Sequence, residues 1–96
     1  MTDNEYAVKI YCRIFRLPKA EDDLCMTGML DALKTLSSAE QIALECRYRH
    51  GYTYKQTGIV LGDHKSDVAR RIVNKAILKL KHPSRIKFIR TKDHGD

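Results

Sequence analysis

The chain has 96 residues, 43% of them apolar, with 18 Lys and Arg against 12 Asp and Glu and a formal net charge of +6. That length supports one domain with a modest core and leaves no room for two. The apolar share excludes a disordered chain, the lack of any long apolar run excludes a bilayer-spanning helix, and the basic balance admits a polyanionic partner.

Residues 1–4 are polar and are expected to fray. From Glu5 to Arg16 the apolar residues Tyr6, Ala7, Ile10, Tyr11, Ile14 and Phe15 recur at helical spacing, with Lys9, Arg13 and Arg16 opposite. Leu17-Pro18 ends that run, because the residue before proline is pushed out of helical geometry. Tyr6, Ile10 and Ile14 need a covering surface, which is compatible with a homodimer through this helix. A second helix is expected from near Ala20, where Glu21, Asp22 and Asp23 suit its positive end. It carries Leu24, Cys25, Met29, Leu30, Leu33 and Leu36 on one face, and Gly28 weakens it by about 1 kcal/mol relative to alanine. The acidic triplet reads as ordinary first-turn carboxylates, with a protein–protein contact as the sharper alternative.

Ser37 with Glu40 three residues on is a capping-box pattern that starts a third helix, whose inner side is Ile42, Ala43, Cys46 and Tyr48. After a break at His50-Gly51, Thr53 and Gln56 repeat the device and open a short helix packing Thr57, Val60 and Leu61 inward. Gly58 sits where two helices approach closely, and Gly62 suits the left-handed residue that ends the short helix. The last and longest helix begins between His64 and Asp67. At about 100° per residue, Val68, Ala69, Val73, Ala76, Ile77 and Leu80 share an apolar arc around Ile72. Asp67, Arg70, Arg71, Asn74, Lys75 and Lys81 take the other side, joined there by Leu78. His82-Pro83 stops the helix, with His82 expected to meet the terminal carbonyls, and Ile86, Phe88 and Ile89 are free to fold back on the core.

The expected fold is all-α: a small bundle of about five helices with a C-terminal helix-turn-helix, in one structural domain. Residues 1–36 pack on or extend the core, 37–85 form the helix-turn-helix, and 86–96 are a C-terminal tail. Charge is concentrated in the second half, where the only acids between Arg47 and Lys92 are Asp63 and Asp67. The three cysteines, Cys12, Cys25 and Cys46, are odd in number and widely spaced, which argues for small apolar roles in a reducing cytoplasm. No metal site, cofactor or signal peptide is expected. His50, His64, His82 and His94 are scattered and form no catalytic pattern, so the protein is not expected to be an enzyme.

A recognition helix needs an apolar face to anchor it and hydrogen-bonding side chains opposite, near its N-terminus. Asp67, Arg70, Arg71 and Asn74 supply such a set for base edges in the major groove. Thr53, Tyr54 and Lys55 stand at a helix N-terminus suited to phosphate, and Arg47, Lys65, Lys79 and Arg85 would add further phosphate contacts. A solvated basic face would explain the charge alone. The two caps, the glycine placement and the short-then-long helix pair favour DNA.

These residues also resemble a known family. Leu36-Ser37-Ser38-Ala39-Glu40 through Ala43-Leu44, Arg47-Tyr48, Tyr52-Thr53 with Gly58, and the closing Lys75-Ala76-Ile77-Leu78-Lys79-Leu80-Lys81-His82-Pro83-Ser84-Arg85 resemble region 4 of primary-type bacterial sigma factors. The resemblance covers roughly Leu30 to Arg85 and is most specific in its closing string. It implies a four-helix domain that binds the minus-thirty-five promoter element and touches the flap of RNA polymerase. Counted back from His82-Pro83, it puts the principal base contacts at Arg70 and Arg71, with Ser66 and Asp67 one turn earlier. Arg47 and Thr53 then match phosphate-contacting positions. The turn after Leu61 is one residue longer than the family's pattern, and counting forward from Gly58 gives Lys65, Ser66, Ala69 and Arg70 instead. The helical-face geometry favours the first register. The family's Arg-Glu pair is replaced by Ser66-Asp67, a departure that bears on which hexamer is read.

Nothing in the sequence resembles region 2, so the chain alone is not expected to initiate transcription as a complete sigma factor. The expected function is a sequence-specific double-stranded DNA-binding regulator or partial sigma factor acting with bacterial RNA polymerase. The alternative is a sigma-like module that binds polymerase or another protein without reading DNA, favoured by Ser66 and by an exposed Leu78.

Overall fold

Three of the helices begin on one device. A Thr or Ser side chain accepts from the backbone N–H three residues on, and the Glu or Gln there accepts from the cap's own N–H. The pairs are Thr2 with Glu5, Ser37 with Glu40 and Thr53 with Gln56, all at 2.9–3.2 Å. The computed structural model describes residues 1–19 and 24–90. Among these, six α-helices follow in order: α1 (Asp3–Phe15), α2 (Met26–Lys34), α3 (Ser38–Leu44), α4 (Tyr54–Val60), α5 (Ser66–Lys81) and α6 (Pro83–Ile89). A π-helical turn, Glu45–Arg49, continues α3. The fold is all-α, as the residue periodicities indicate.

One core joins the elements. Tyr11, Ile10, Met29, Leu44, Val73, Leu80 and Ile89 are fully buried in it, drawn from α1, α2, α3, α5 and α6. α5 is the central rod, packed on α3 and α4 along its length, with α1 and α6 also against it. Tyr6, Ile10 and Ile14 are buried in this core, against the chain's own α2 and α5 among others. The reason for a homodimer through the first helix therefore disappears: its apolar stripe is already covered.

Several expectations are corrected. The expected frayed end already holds the start of a helix: Asp3 and Asn4 lie in α1, which Thr2 caps. The second helix starts at Met26; the expected start near Ala20, with Glu21, Asp22 and Asp23, lies outside the described residues. Leu24 and Cys25 precede that helix, and the Cys25 N–H donates to the Ile89 carbonyl at 2.6 Å while Leu24 bridges Arg90. Residues 83–89 form a sixth helix, which takes in the start of the expected 86–96 tail; residues 91–96 of that tail lie outside the described residues. His82 both closes α5, its backbone N–H donating to the Lys79 carbonyl at 3.2 Å, and begins α6: its Nδ1 accepts from the Ser84 N–H at 3.1 Å, with Pro83 at the first helical position. Ile89 does fold back into the core, whereas Phe88 is 58% exposed.

Ile42 and Val60 face outward, at 40% and 51% exposure. In α4 the inward stripe is Tyr54, Thr57, Gly58 and Leu61, the i, i+3, i+4, i+7 set, which leaves Val60 off the face. In α3 the buried positions are Glu40, Ala43 and Leu44, and Ile42 falls to the side. Gly28 has a reason its sequence position did not disclose: a Cβ there would run into the Phe88 backbone carbonyl, where α6 lies against α2.

Candidate nucleic-acid interface

Gly58 lets α4 and α5 meet. A side chain there would collide with the His64 carbonyl, and the His64 N–H closes back on the Gly58 carbonyl at 2.9 Å. The connecting turn uses two successive positive-φ residues, Gly62 at 122° and Asp63 at 59°. Asp63, and not Gly62 alone, takes the left-handed conformation, as aspartate tolerates better than most side chains.

That turn delivers α5 with its apolar side down. Ala69, Val73, Ala76, Ile77 and Leu80 are buried, while Asp67, Arg70, Arg71, Asn74, Lys75 and Lys81 are exposed. Ser66 is half-buried at the helix's first position. The register counted forward from Gly58 would need a base contact from Ala69, which has no exposed surface. Leu78 is 66% exposed, on the polar side where the helical angles put it. Thr53, Lys55 and Lys65 are exposed around the same end of the pair, and an open groove of about 430 Å³ runs between Lys55 on α4 and Lys65, Ser66 and Asp67. A carboxylate at Asp67, in the first turn of α5, suits the positive end of the helix.

Behind this face lies a cluster of cations and one ring. The Arg47 guanidinium carbon is 4.2 Å from the centre of the Tyr54 ring, and its Nη1 donates to the Tyr52 carbonyl at 2.6 Å. Arg70 approaches the same ring to 5.8 Å and pairs with Asp67 at 3.5 Å.

A protein-family model described as sigma-70, region 4 matches residues 32–82, more than half of the chain. The chain belongs to the sigma-70 region 4 family. No curated protein and no solved structure gives a match. The sigma-70 region 4 family is one of DNA-binding, transcription-related helix-turn-helix domains that work with RNA polymerase, and it is a regulatory family, not an enzymatic one. The match takes in the end of α2 and all of α3, α4 and α5; α1 and α6 lie outside it. No helix among the described residues is long and apolar enough to cross a membrane, and no group of His, Cys, Asp and Glu there is arranged to hold a metal ion.

Within this sigma-70 region 4 domain, three of the expected phosphate contacts, Lys79, Arg85 and Arg47, are occupied by the fold. Lys79 pairs with Glu40 at 2.8 Å, tying α5 to α3 through a carboxylate that is only 4% exposed. Burial works to raise the Glu40 pKa, but hydrogen bonds from Lys79 and Ser37 outweigh it and hold the carboxyl below its ordinary value. Arg85 donates from Nε to Thr35 Oγ1 at 3.0 Å and from Nη1 to the Lys79 carbonyl at 3.4 Å. Arg47 is likewise half-buried and committed to Tyr52 and Tyr54. Sequence reasoning missed Arg49, which reaches Asp3, Glu45 and the Tyr6 ring and so fastens α1 to the π-helical turn. Glu45 lies four residues before it, at a spacing the sequence shows, but Asp3 and Tyr6 lie on a different helix and no local spacing signals them. Cys46 is buried, Cys12 and Cys25 are half-buried, and all three are free thiols. Burial raises the pKa of the Cys12 and Cys46 thiols.

Proposed function

We propose that this chain is a sequence-specific double-stranded DNA-binding transcription regulator or partial sigma factor that acts with bacterial RNA polymerase at promoter DNA. α5 enters the major groove N-terminal half first. Arg70 and Arg71 read base edges, Asn74 and Asp67 flank them, and Ser66 borders the groove wall. Arginine grips guanine with two hydrogen bonds, asparagine does the same to adenine, and a carboxylate accepts from cytosine. Thr53, Lys55 and Lys65 meet the phosphates on either side, where they fix register without reading sequence. Lys79, Arg85 and Arg47 serve mainly to hold the domain together.

The observation that carries this reading is the division of α5: Arg70, Arg71 and Asn74 stand exposed while Ala69, Val73, Ala76 and Ile77 anchor the helix beneath them. Selection of bound sequences from a random duplex pool, with and without RNA polymerase, tests it. One enriched motif, lost in an Arg70→Ala, Arg71→Ala double variant that still folds, is the expected result. Enrichment of the same motif by that variant would overturn the assignment.

A second reading has one observation in its favour. The end of α5 exposes Leu78 while Lys79 and Arg85 are engaged within the chain, a surface better suited to a protein than to phosphate. A module binding polymerase or another protein without reading DNA would retain polymerase in a pull-down and show no duplex binding.

A further inference from the structure

Arg70 and Tyr54 sit on different helices, and two restraints act on the Arg70 guanidinium. One is Asp67, but both members of that pair are more than half exposed (57% and 72%), so water and salt screen it strongly. The other is the Tyr54 ring, 5.8 Å from the guanidinium carbon. That ring is itself well fixed. It stands at the first position of α4, half-buried and packed against the core, and carries the Arg47 guanidinium at 4.2 Å. Arg47 is anchored in turn by its 2.6 Å hydrogen bond to the Tyr52 carbonyl. Order thus passes from a backbone carbonyl to Arg47, to the ring, and to Arg70. An exposed arginine has much rotamer freedom to lose on binding, and a π face that attracts its cation reduces that loss.

We propose that Tyr54 is a positioning residue for Arg70: its ring steers the guanidinium into the pose used at the groove and thereby sets selectivity at the base pair Arg70 reads. The inference rests on the base-reading role of Arg70 given above. It assigns Tyr54 a task different from phosphate contact, and the two tasks leave different signatures. A phosphate contact changes affinity for all sequences alike, whereas a positioning residue changes preference at one position.

The experiment uses the full chain and duplexes drawn from a random pool, then varied to all four base pairs at each position of the selected site. Arg70→Ala is expected to lower discrimination at one position about tenfold, within the range of a bidentate base contact. Tyr54→Leu, which keeps an apolar side chain but removes the π face, is expected to lower discrimination at that same position about threefold and leave the others unchanged. Tyr54→Phe keeps the ring and should match the unmodified chain. In the free protein, the NMR resonance of the Arg70 Nε–H should move in Tyr54→Leu and stay in place in Tyr54→Phe. Should leucine unfold the chain, Tyr54→Met carries the same comparison. A uniform loss of affinity in Tyr54→Leu, with the Arg70 position still discriminated, overturns the proposal in favour of phosphate contact. Equal losses in Tyr54→Phe and Tyr54→Leu overturn it in favour of the hydroxyl. If Arg70→Ala changes no preference, the base-reading role itself fails. That failure is separable, because a wrong role for Tyr54 leaves the Arg70→Ala effect standing.

Discussion

Both halves of α5 carry cations, but Arg70 in the first and Lys79 in the second are held in opposite ways, while Lys75 and Lys81 stay exposed. In the first half Arg70 and Arg71 stand in solvent, and the restraints on Arg70 are a screened ion pair and an aromatic ring. In the second half Lys79 is drawn to the buried Glu40, and Arg85 reaches back from α6 to the Lys79 carbonyl. The two ends of the helix are also fixed by different means: a close backbone approach at Gly58 for the first, an ion pair to the buried Glu40 for the second. A count of Lys and Arg therefore overstates the surface available to a polyanion. What matters is which cations the fold has already engaged.

The sharpest way to break this contrast is Arg70→Ala with Arg71→Ala. Each good base contact is worth about 1–3 kcal/mol, so specific affinity should fall a hundredfold or more by fluorescence anisotropy, while thermal stability stays within about 0.5 kcal/mol. Next is Gly58→Ala, which drives a methyl into the His64 carbonyl. Backbone must shift to admit it, and denaturant unfolding should show a loss of about 2–3 kcal/mol. Lys79→Met should cost less, about 1 kcal/mol. It leaves Glu40 short of a partner, but Lys79 is itself 38% exposed and its attraction partly screened. The salt dependence of DNA binding should be unchanged in that variant, whereas a true phosphate contact would reduce the slope by about 1.

The smallest effect is a pH dependence. Folding lowers the Glu40 pKa below its ordinary 4.5 and so favours the charged form. Its contribution is complete above that ordinary value and is lost as pH falls through the lower folded one. The gap in Tm between the unmodified chain and Glu40→Gln should be widest near neutrality and close on acidification below 4.5. A gap that widened with acid would mean that Glu40 is not held as the carboxylate.

The sequence disclosed what local chemistry decides. Ser37 with Glu40 and Thr53 with Gln56 start helices because the partners lie three residues apart, and α5's faces follow from its period alone. Thr2 with Glu5 was equally local, but the polar residues around it read as a frayed end. His82-Pro83 reads rightly as the stop of α5 but not as the start of α6, because proline ends one helix as readily as it opens the next. Glu40 with Lys79, Arg47 and Arg70 around Tyr54, and Gly28 under Phe88 join residues remote in sequence. Such pairs depend on how helices cross, which no single-helix pattern encodes. For that reason the outward arginines were legible and the groups that restrain them were not.

The most direct test is an NMR titration of the chain with a selected duplex, following backbone amides and arginine side chains residue by residue. DNA met by the first half of α5 and the start of α4 predicts the largest shifts at Thr53 to Lys55 and Lys65 to Asn74, with Lys79 and Arg85 little changed. Shifts centred on Lys79 to Arg85, with Arg70 and Arg71 unmoved, would contradict it.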